Sequence, residues 1–398
     1  MTSLNTTAEK KKGVVIIGDH VQSLGIIRSL GREKIPVYLL NDKSLCIGRF
    51  SKFLKKFFLC PSFEDTDNLI QYLVSLADRE NIHDWILWPT NDACVFAVST
   101  HKTYLEDYFK IATPSWDVVQ YALNKKLTYS IAEKCHIPCP KTVYPENLDA
   151  VFALGDSITY PVILKPAVMH HYFKKARKKA IIVHNTEELI ENYQSMRSII
   201  DPSEIMVQEI IPGRPGFLYS FCSLFKEGNV QARCIAQRRR QKPMDCGKGT
   251  TFAQSMYIPE LEQYGSVLLK EIGYYGLSEV EFKKDPRDGQ YKLLEINART
   301  WLWHSLAIRC GVNFPFLQYR DIMQGHTDPV LSFRENVKWV HFYTDFAISM
   351  NEILHRKMTF GDYLHSLEGE KETGVFSRDD IMPFIMETVL LPYLYLTR

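Results

Sequence analysis

Short apolar runs alternate with stretches of helical spacing along the first hundred residues. GVVIIG (Gly13–Gly18) has the pattern of a buried strand ending in a turn, and Leu24–Leu30 follows at helical spacing. PVYLL (Pro36–Leu40) and WILWP (Trp85–Pro89) repeat the strand pattern, with helical segments between them. Strands alternating with helices predict a parallel sheet with crossover connections. The pattern changes after Thr113. Thr113-Pro114-Ser115 starts a helix, and a second amphipathic helix leads from Asn124-Lys125 to His136-Ile137-Pro138. Strands are predicted at YPVILKP (Tyr160–Pro166), Ala180–Val183 and IMVQEIIPG (Ile205–Gly213), and strand-like segments flank Arg233–Thr250. Leu261–Ile272 has helical spacing, and Trp301–Arg309 reads as a further helix.

Between those last two helices lies the stretch with the most chemistry, GLSEVEFKKDPRDGQYKLLEINAR (Gly276–Arg299). Two strand-like runs flank the turn formers Asp285–Gly289, which predicts a hairpin. If Glu281 lies opposite Glu295, the period of two puts Glu279, Glu281, Leu293, Glu295 and Asn297 on one face. Val280, Phe282, Leu294 and Ile296 then form the core face. Two carboxylates directly opposite each other repel unless a cation lies between them. Mg2+ is the natural cation, because it takes one or two carboxylates together with waters and phosphates, and Asn297 adds an amide oxygen. Arg299 follows at a spacing that lets it reach a phosphate bidentately. An edge hairpin with its acids in water is the alternative.

Two other segments carry cations with a purpose to explain. Lys165 ends a short strand stopped by proline, where a lysine near a buried edge is costly without an anion such as phosphate. RCIAQRRRQKPMDCGKGT (Arg233–Thr250) holds four arginines, and Arg238 and Arg240 share a face if the strand continues. Guanidinium groups suit phosphoryl or carboxylate oxygens, and a basic surface patch is the alternative.

The hairpin resembles the metal-binding end of the ATP-grasp superfamily, with an acid in a V-E/D-F strand followed by E-I-N-x-R. The run LEINARTWLWHSLA is similar to the branch of carboxylate-amine ligases. The resemblance covers residues 13 to 325. It implies an α/β protein with an ATP-grasp fold preceded by a small Rossmann-like parallel-sheet domain. The expected segments are a disordered leader at 1–12, an N-terminal domain at 13–115, an ATP-grasp domain at 116–325 with its lid at about 160–207, and an extension of unknown role at 326–398. Residue by residue, the resemblance implies Lys125 and Lys165 on the nucleotide phosphates, and Gln208, Glu209 and Ile211 lining the base. Glu281, Glu295 and Asn297 become metal ligands, and Arg299, with Arg238 and Arg240, stabilises the reacting centre. Asn91 and Asp92 stand where the N-terminal domain contacts substrate, although a helix N-cap explains that pair equally well. His304 is a substrate contact or a packed histidine. The cofactors implied are ATP and Mg2+, with Mn2+ as a substitute. The reaction implied joins a small carboxylate to an amine through an acyl phosphate and releases ADP.

The chain departs from the family in three places. Asn124 stands where Asp is usual, the loop Met169–Lys179 has no glycine, and RPGFLYS after Gly213 offers no acid for the ribose hydroxyls. A nucleotide-binding protein without catalysis and a phosphoryl transferase on the same fold therefore stay open. A dehydrogenase is disfavoured because DHVQSLG after Gly18 lacks GxGxxG, although Asp42 stands near the distance of a ribose-binding acid.

Composition sets the outer limits. At 398 residues, with 45% hydrophobic and 24% charged, the chain holds two or three ordinary globular domains. A net charge of +2 argues against nucleic-acid binding. Nine cysteines without CxxC pairs read as free thiols in a reduced, cytoplasmic protein, with Cys246 in a functional-looking loop. No apolar run reaches a membrane span of about 20 residues. The tail Ile381–Leu396 carries Glu387 as its only charge. It packs on the body, forms a homodimer contact, or rests weakly on a membrane surface; ordinary packing is the expectation.

Overall fold

The computed structural model describes residues 11–155, 157–168, 172, 180–213, 215–244 and 249–397. Most of the leader, Cys246 and all but Tyr172 of the basic loop Met169–Lys179 lie outside the described residues. The fold is α/β and divides into two compact units. One consists of Met1–Thr113, Asn313–Thr327 and Thr373–Arg398; the other of Pro114–Val312 and Asp328–Glu372. The boundary at Thr113 falls near the one expected from the sequence. The expected segments 116–325 and 326–398 are both divided, because the chain twice returns to the first unit.

That first unit is built on five parallel strands, β1 (Val14–Ile17), β2 (Val37–Asn41), β3 (Lys56–Leu59), β4 (Trp85–Pro89) and β5 (Phe109–Ile111), in the order β3-β2-β1-β4-β5. β1, β2 and β4 are buried throughout, which is why their sequences read as continuous apolar runs. The edge strands β3 and β5 escaped sequence recognition because each carries an outward lysine, Lys56 or Lys110, as exposed edges commonly do. Gly18 ends β1 with φ +96, and a Cβ there meets Asn91 Nδ2 at 2.6 Å, so glycine alone fits.

The returning C-terminal stretch is anchored by a buried charge. Asp380 accepts from Arg28 Nε at 2.9 Å, from Ser51 Oγ at 2.7 Å and from the Lys52 amide at 2.9 Å, and its own carbonyl accepts from Arg28 Nη2. The two side chains are 6% and 1% exposed, so every polar atom of the pair needs a partner in place. The final helix, Met382–Thr397, buries Leu390, Leu394 and Glu387 and leaves Met382, Ile385 and Val389 exposed. Among the described residues no helix is long and apolar enough to cross a membrane.

The second unit holds two sheets. A four-stranded sheet, β6 (Thr142–Val143), β7 (Val162–Pro166), β8 (Ile181–Val183) and β9 (Ile205–Glu209), has the order β6-β9-β7-β8. A seven-stranded antiparallel sheet contains β10 (Leu218–Lys226), β11 (Asn229–Lys242), β12 (Gly249–Ser255), β13 (Gly276–Lys284), β14 (Tyr291–Asn297), β15 (Lys338–Val340) and β16 (Lys371–Thr373), in the order β14-β13-β10-β11-β12-β15-β16. The helix Pro259–Glu271 packs closely on β10, where a Cβ at Gly265 falls 2.2 Å from the Phe221 ring. Only Ser305–Arg309 of the expected helix Trp301–Arg309 is helical; Trp301 and Trp303 are buried side chains of the turn before it.

The turn between β13 and β14 is an ion cluster tied to the end of β9. Asp285, fully buried, accepts from Arg287 and from Lys292 Nζ at 2.6 Å, while Arg287 Nη2 also donates to Glu209 Oε2 at 2.8 Å. Lys283 Nζ donates to the Ile211 carbonyl at 2.7 Å. Arg287 first and then Lys292 hold the Asp285 carboxyl well below the usual carboxylate range, against the opposing effect of burial.

Two outcomes are expected. Replacing Asp380 by Ala leaves Arg28 buried without its counter-ion, so chemical denaturation should show a loss of about 3–5 kcal/mol. Because the Asp285 pKa is lowered by folding, its contribution is fully present above the ordinary carboxylate range, begins to fall as pH enters that range, and is lost only as pH passes through the lowered folded-state value. Asp285→Asn should cost about 2 kcal/mol at neutral pH, and the gap from the parent protein should narrow, without closing, when denaturation midpoints are followed down to pH 3.

Candidate active site

β13 and β14 pair with Glu281 opposite Glu295 and Glu279 opposite Asn297, which brings three acids and an amide onto one face. The pairing steps at Glu281/Phe282, so that Phe282 lies opposite Leu293 and Leu294 is the extra residue of a β-bulge. Leu293 is thus fully buried with the core side chains rather than on the acid face, which corrects the unbroken period of two. The bulge also frees the Leu294 carbonyl to accept from Tyr129 Oη at 2.9 Å.

Cations close on the acids from three elements. Lys125 opens the helix Lys125–Lys134, which Asn124 caps by accepting from the Lys126 amide. Its Nζ lies 2.6 Å from Glu295 Oε2, and its amide donates to the Ala167 carbonyl just past β7. That contact sets Lys125 beside the strand carrying Lys165, whose charge also acts on Glu295. From the opposite side, Arg238 Nη2 reaches Glu281 Oε1 at 2.9 Å. The strand between them, β10, presents the small Ser220 opposite Glu281, leaving room for the guanidinium to cross. Arg299, just beyond β14, donates to Asn297 Oδ1 at 3.2 Å, and Asn297 Nδ2 donates to Glu279 and Glu281 at 3.1 Å each.

Electrostatics follow from this placement. Lys125 draws the Glu295 carboxyl down strongly, with Lys165 and Arg238 adding to the effect against burial. Burial opposes the charge of Lys125, but Glu295 outweighs it and holds the amine protonated. Glu279 goes the other way: burial and then Glu281 push it up, against the pull of Arg238 and Arg299. The arrangement suits a divalent cation. Glu281 Oε2 and Glu295 Oε1 make no hydrogen bond among the described residues, and Asn297 directs its NH2 group to Glu279 and Glu281 while its oxygen accepts from Arg299. Among the described residues no three His, Cys, Asp or Glu side chains form a metal cage; the residues that would hold a divalent cation here are two carboxylates and an amide, a set that leaves room for water and phosphate.

Arg240 does not join this group. A β-bulge at Arg239 pairs Arg238 with Ala253 and Arg240 with Phe252, neighbours that face opposite sides of the sheet. Arg240 therefore grips Asp345 with Nε at 2.8 Å and Nη2 at 2.7 Å, donates to Ser366, and lies 4.1 Å from the Phe252 ring centroid. The expectations of a shared face and of a catalytic Arg240 are corrected accordingly: its fork is used in a buried structural pair.

Of the base-lining candidates, Gln208 is buried and donates to Thr142 Oγ1 at 2.7 Å, and Ile211 is buried with its carbonyl on Lys283. The Glu209 carboxylate accepts from the Lys141 amide and from Arg287, so its side chain braces the hairpin turn. Asn91 and Asp92 belong to the other unit. Asn91 caps the helix Asp92–Thr100 by accepting from the Cys94 amide, and Asp92 lies in the first turn. His304 is fully buried beside the Trp301 ring. Sequence reasoning put Glu279 on the acid face yet outside the ligand set, and the alternation Glu279-Val280-Glu281 was the signal available for it. Asp345 carried no signal at all, because its partner lies 105 residues away.

Residues 124–320 match the family model described as the carbamoyl-phosphate synthase L chain, ATP binding domain. The chain is 27% identical over 299 residues to the D-aspartate ligase of Enterococcus faecium (strain Aus0004), covering 72% of this chain and 70% of that protein. The biotin carboxylase domain of the Hydrogenobacter thermophilus 2-oxoglutarate carboxylase, solved with MgADP, ADP and bicarbonate, superposes with a TM-score of 0.66 at 18% identity, over 83% of this chain and 74% of that one. The L-amino acid ligase from Bacillus licheniformis superposes with a TM-score of 0.60 at 15% identity, over 81% and 78%. The acid-bearing hairpin and its lysines lie inside the matched segment, and these matches support a place for the chain with the ATP-grasp, carboxylate-amine ligase-like proteins.

Proposed function

We propose that this protein is an ATP-dependent ligase that joins a small carboxylic acid to an amine through an acyl phosphate, releasing ADP and phosphate. The observation that carries this reading is the single sheet face on which Glu281, Glu295 and Asn297 meet Lys125, Arg238 and Arg299. Four positive side chains, counting Lys165, border three acids, a balance suited to a triphosphate accompanied by a divalent cation.

Glu281, Glu295 and Asn297 are the residues that would hold Mg2+, which when bound supplies charge neutralisation on the phosphate oxygens. Lys125 and Lys165 take the nucleotide phosphates; Lys125 exchanges part of its contact with Glu295 for phosphate oxygen as the nucleotide enters. The substrate carboxylate oxygen attacks the γ-phosphorus, the bond to the β-phosphate oxygen breaks, and ADP leaves. Arg299 and Arg238 offset the charge on the phosphoryl oxygens and then on the acyl phosphate. The amine nitrogen next attacks the acyl carbon, phosphate departs, and the amine proton passes to phosphate or solvent. No side-chain nucleophile takes part; the protein positions and neutralises.

The direct test is ADP release from Mg-ATP with pooled amino acids and small carboxylates. Release should require both an acid and an amine, and Glu295→Gln should lower it by about 100-fold or more while the melting temperature stays near that of the parent. Nucleotide binding without release in any pool sinks the ligase reading. The two arginines should also part company. Arg238→Met should reduce kcat and also lower stability, because it strands the buried Glu281, whereas Arg240→Met strands the buried Asp345 and should cost about 3–5 kcal/mol in a denaturation experiment while leaving kcat near that of the parent.

A further inference from the structure

Glu279 has no part in the reaction just described, yet it is 3% exposed and places a third carboxylate beside two that already repel. It lies one rung further along the ladder than the Glu281/Glu295 pair, directly opposite Asn297. Its Oε1 is sealed from solvent and accepts no hydrogen bond among the described residues. Its Oε2 accepts from Asn297 Nδ2 at 3.1 Å, as Glu281 Oε1 does, while Arg299 donates to Asn297 Oδ1 at 3.2 Å. Turning the amide over would aim its oxygen at two carboxylates and its NH2 at a guanidinium. Both contacts are repulsive, so the charges around Asn297 select one of its two orientations.

We propose that Glu279 is a positioning residue that locks the Asn297 amide with its oxygen presented as a ligand for the divalent cation of the nucleotide site. This rests on the reading of the hairpin as a metal site, and it assigns Glu279 the outer support that metal-binding side chains need to hold their geometry. Glu281 alone engages one N–H of the amide; Glu279 engages the other, and the plane of the amide is then set. The residue acts through Asn297 and does not itself touch the ion. Its effect is therefore on affinity for the cation, and it disappears when Asn297 is removed.

The experiment uses the full chain and Mn2+ as a paramagnetic probe, with affinity read from the free-ion resonance in the presence of a non-hydrolysable ATP analogue. Glu279→Met keeps the volume and removes the acceptor, whereas Glu279→Gln keeps an oxygen that still accepts from Asn297. Glu279→Met relieves the repulsion with Glu281 but leaves one N–H of the Asn297 amide without its acceptor, so thermal melting checks the fold and Glu279→Gln serves as the variant that keeps the acceptor. Glu279→Met should weaken Mn2+ about 10-fold or more, and Glu279→Gln should stay within about 3-fold of the parent. Adding Glu279→Met to Asn297→Ala should cause no further loss. Parent-like affinity in Glu279→Met overturns the proposal, as does Glu279→Gln binding as weakly as Glu279→Met, which would make the carboxylate a direct ligand. Glu295→Gln is the control for the underlying reading. If it too binds Mn2+ like the parent, the metal site itself is misplaced; if it fails while Glu279→Met binds normally, only the role of Glu279 falls.

Discussion

Two glutamates held opposite each other across one rung of an antiparallel ladder are the constraint on which the second unit depends. Like charges in that position destabilise a sheet, so the register persists only because other groups offset them. Arg238 crosses β10 to reach Glu281, and Lys125 comes from a helix start to reach Glu295. Asn297 bridges Glu279 and Glu281 with one NH2 group. Each of these groups satisfies an acid on the shared face. A site balanced in this way suits a polyanion accompanied by a dication.

The same sheet keeps stability and chemistry apart by means of bulges. At Arg239 the extra residue sends Arg238 to the acid face and Arg240 to the other side, where Asp345, Thr251, Ser366 and the Phe252 ring enclose it. At Leu294 the extra residue returns Leu293 to the core and offers a carbonyl to Tyr129. Beyond the hairpin's far end, Asp285, Arg287, Lys292 and Glu209 connect the turn to the end of β9, so the segment after Gln208 and the acid-bearing strands are braced against one another. The Glu209 side chain thus serves as a strut, a role compatible with main-chain contact to a base at the same residue.

Much of this protein was legible along the chain because the signals were local. The apolar runs of β1, β2 and β4, the turn cluster Asp285–Gly289 and the spacing of Glu281, Glu295 and Asn297 depend on residues a few positions apart, where period and turn chemistry govern. They determined the α/β class, the hairpin and the acids that share one of its faces. What the sequence left open depended on residues distant from one another or on a single inserted position. One extra residue in a ladder reverses which face every following side chain occupies, and nothing in RCIAQRRRQK announces where that residue lies. The Arg28–Asp380 and Arg240–Asp345 pairs join positions 352 and 105 apart, and burial alone makes them obligatory. The sequence therefore specified which groups the site contains, because side-chain chemistry and strand period are local properties. Which arginine faces the site, and which acid supports rather than binds, followed only from the folded sheet, because those are properties of register and burial.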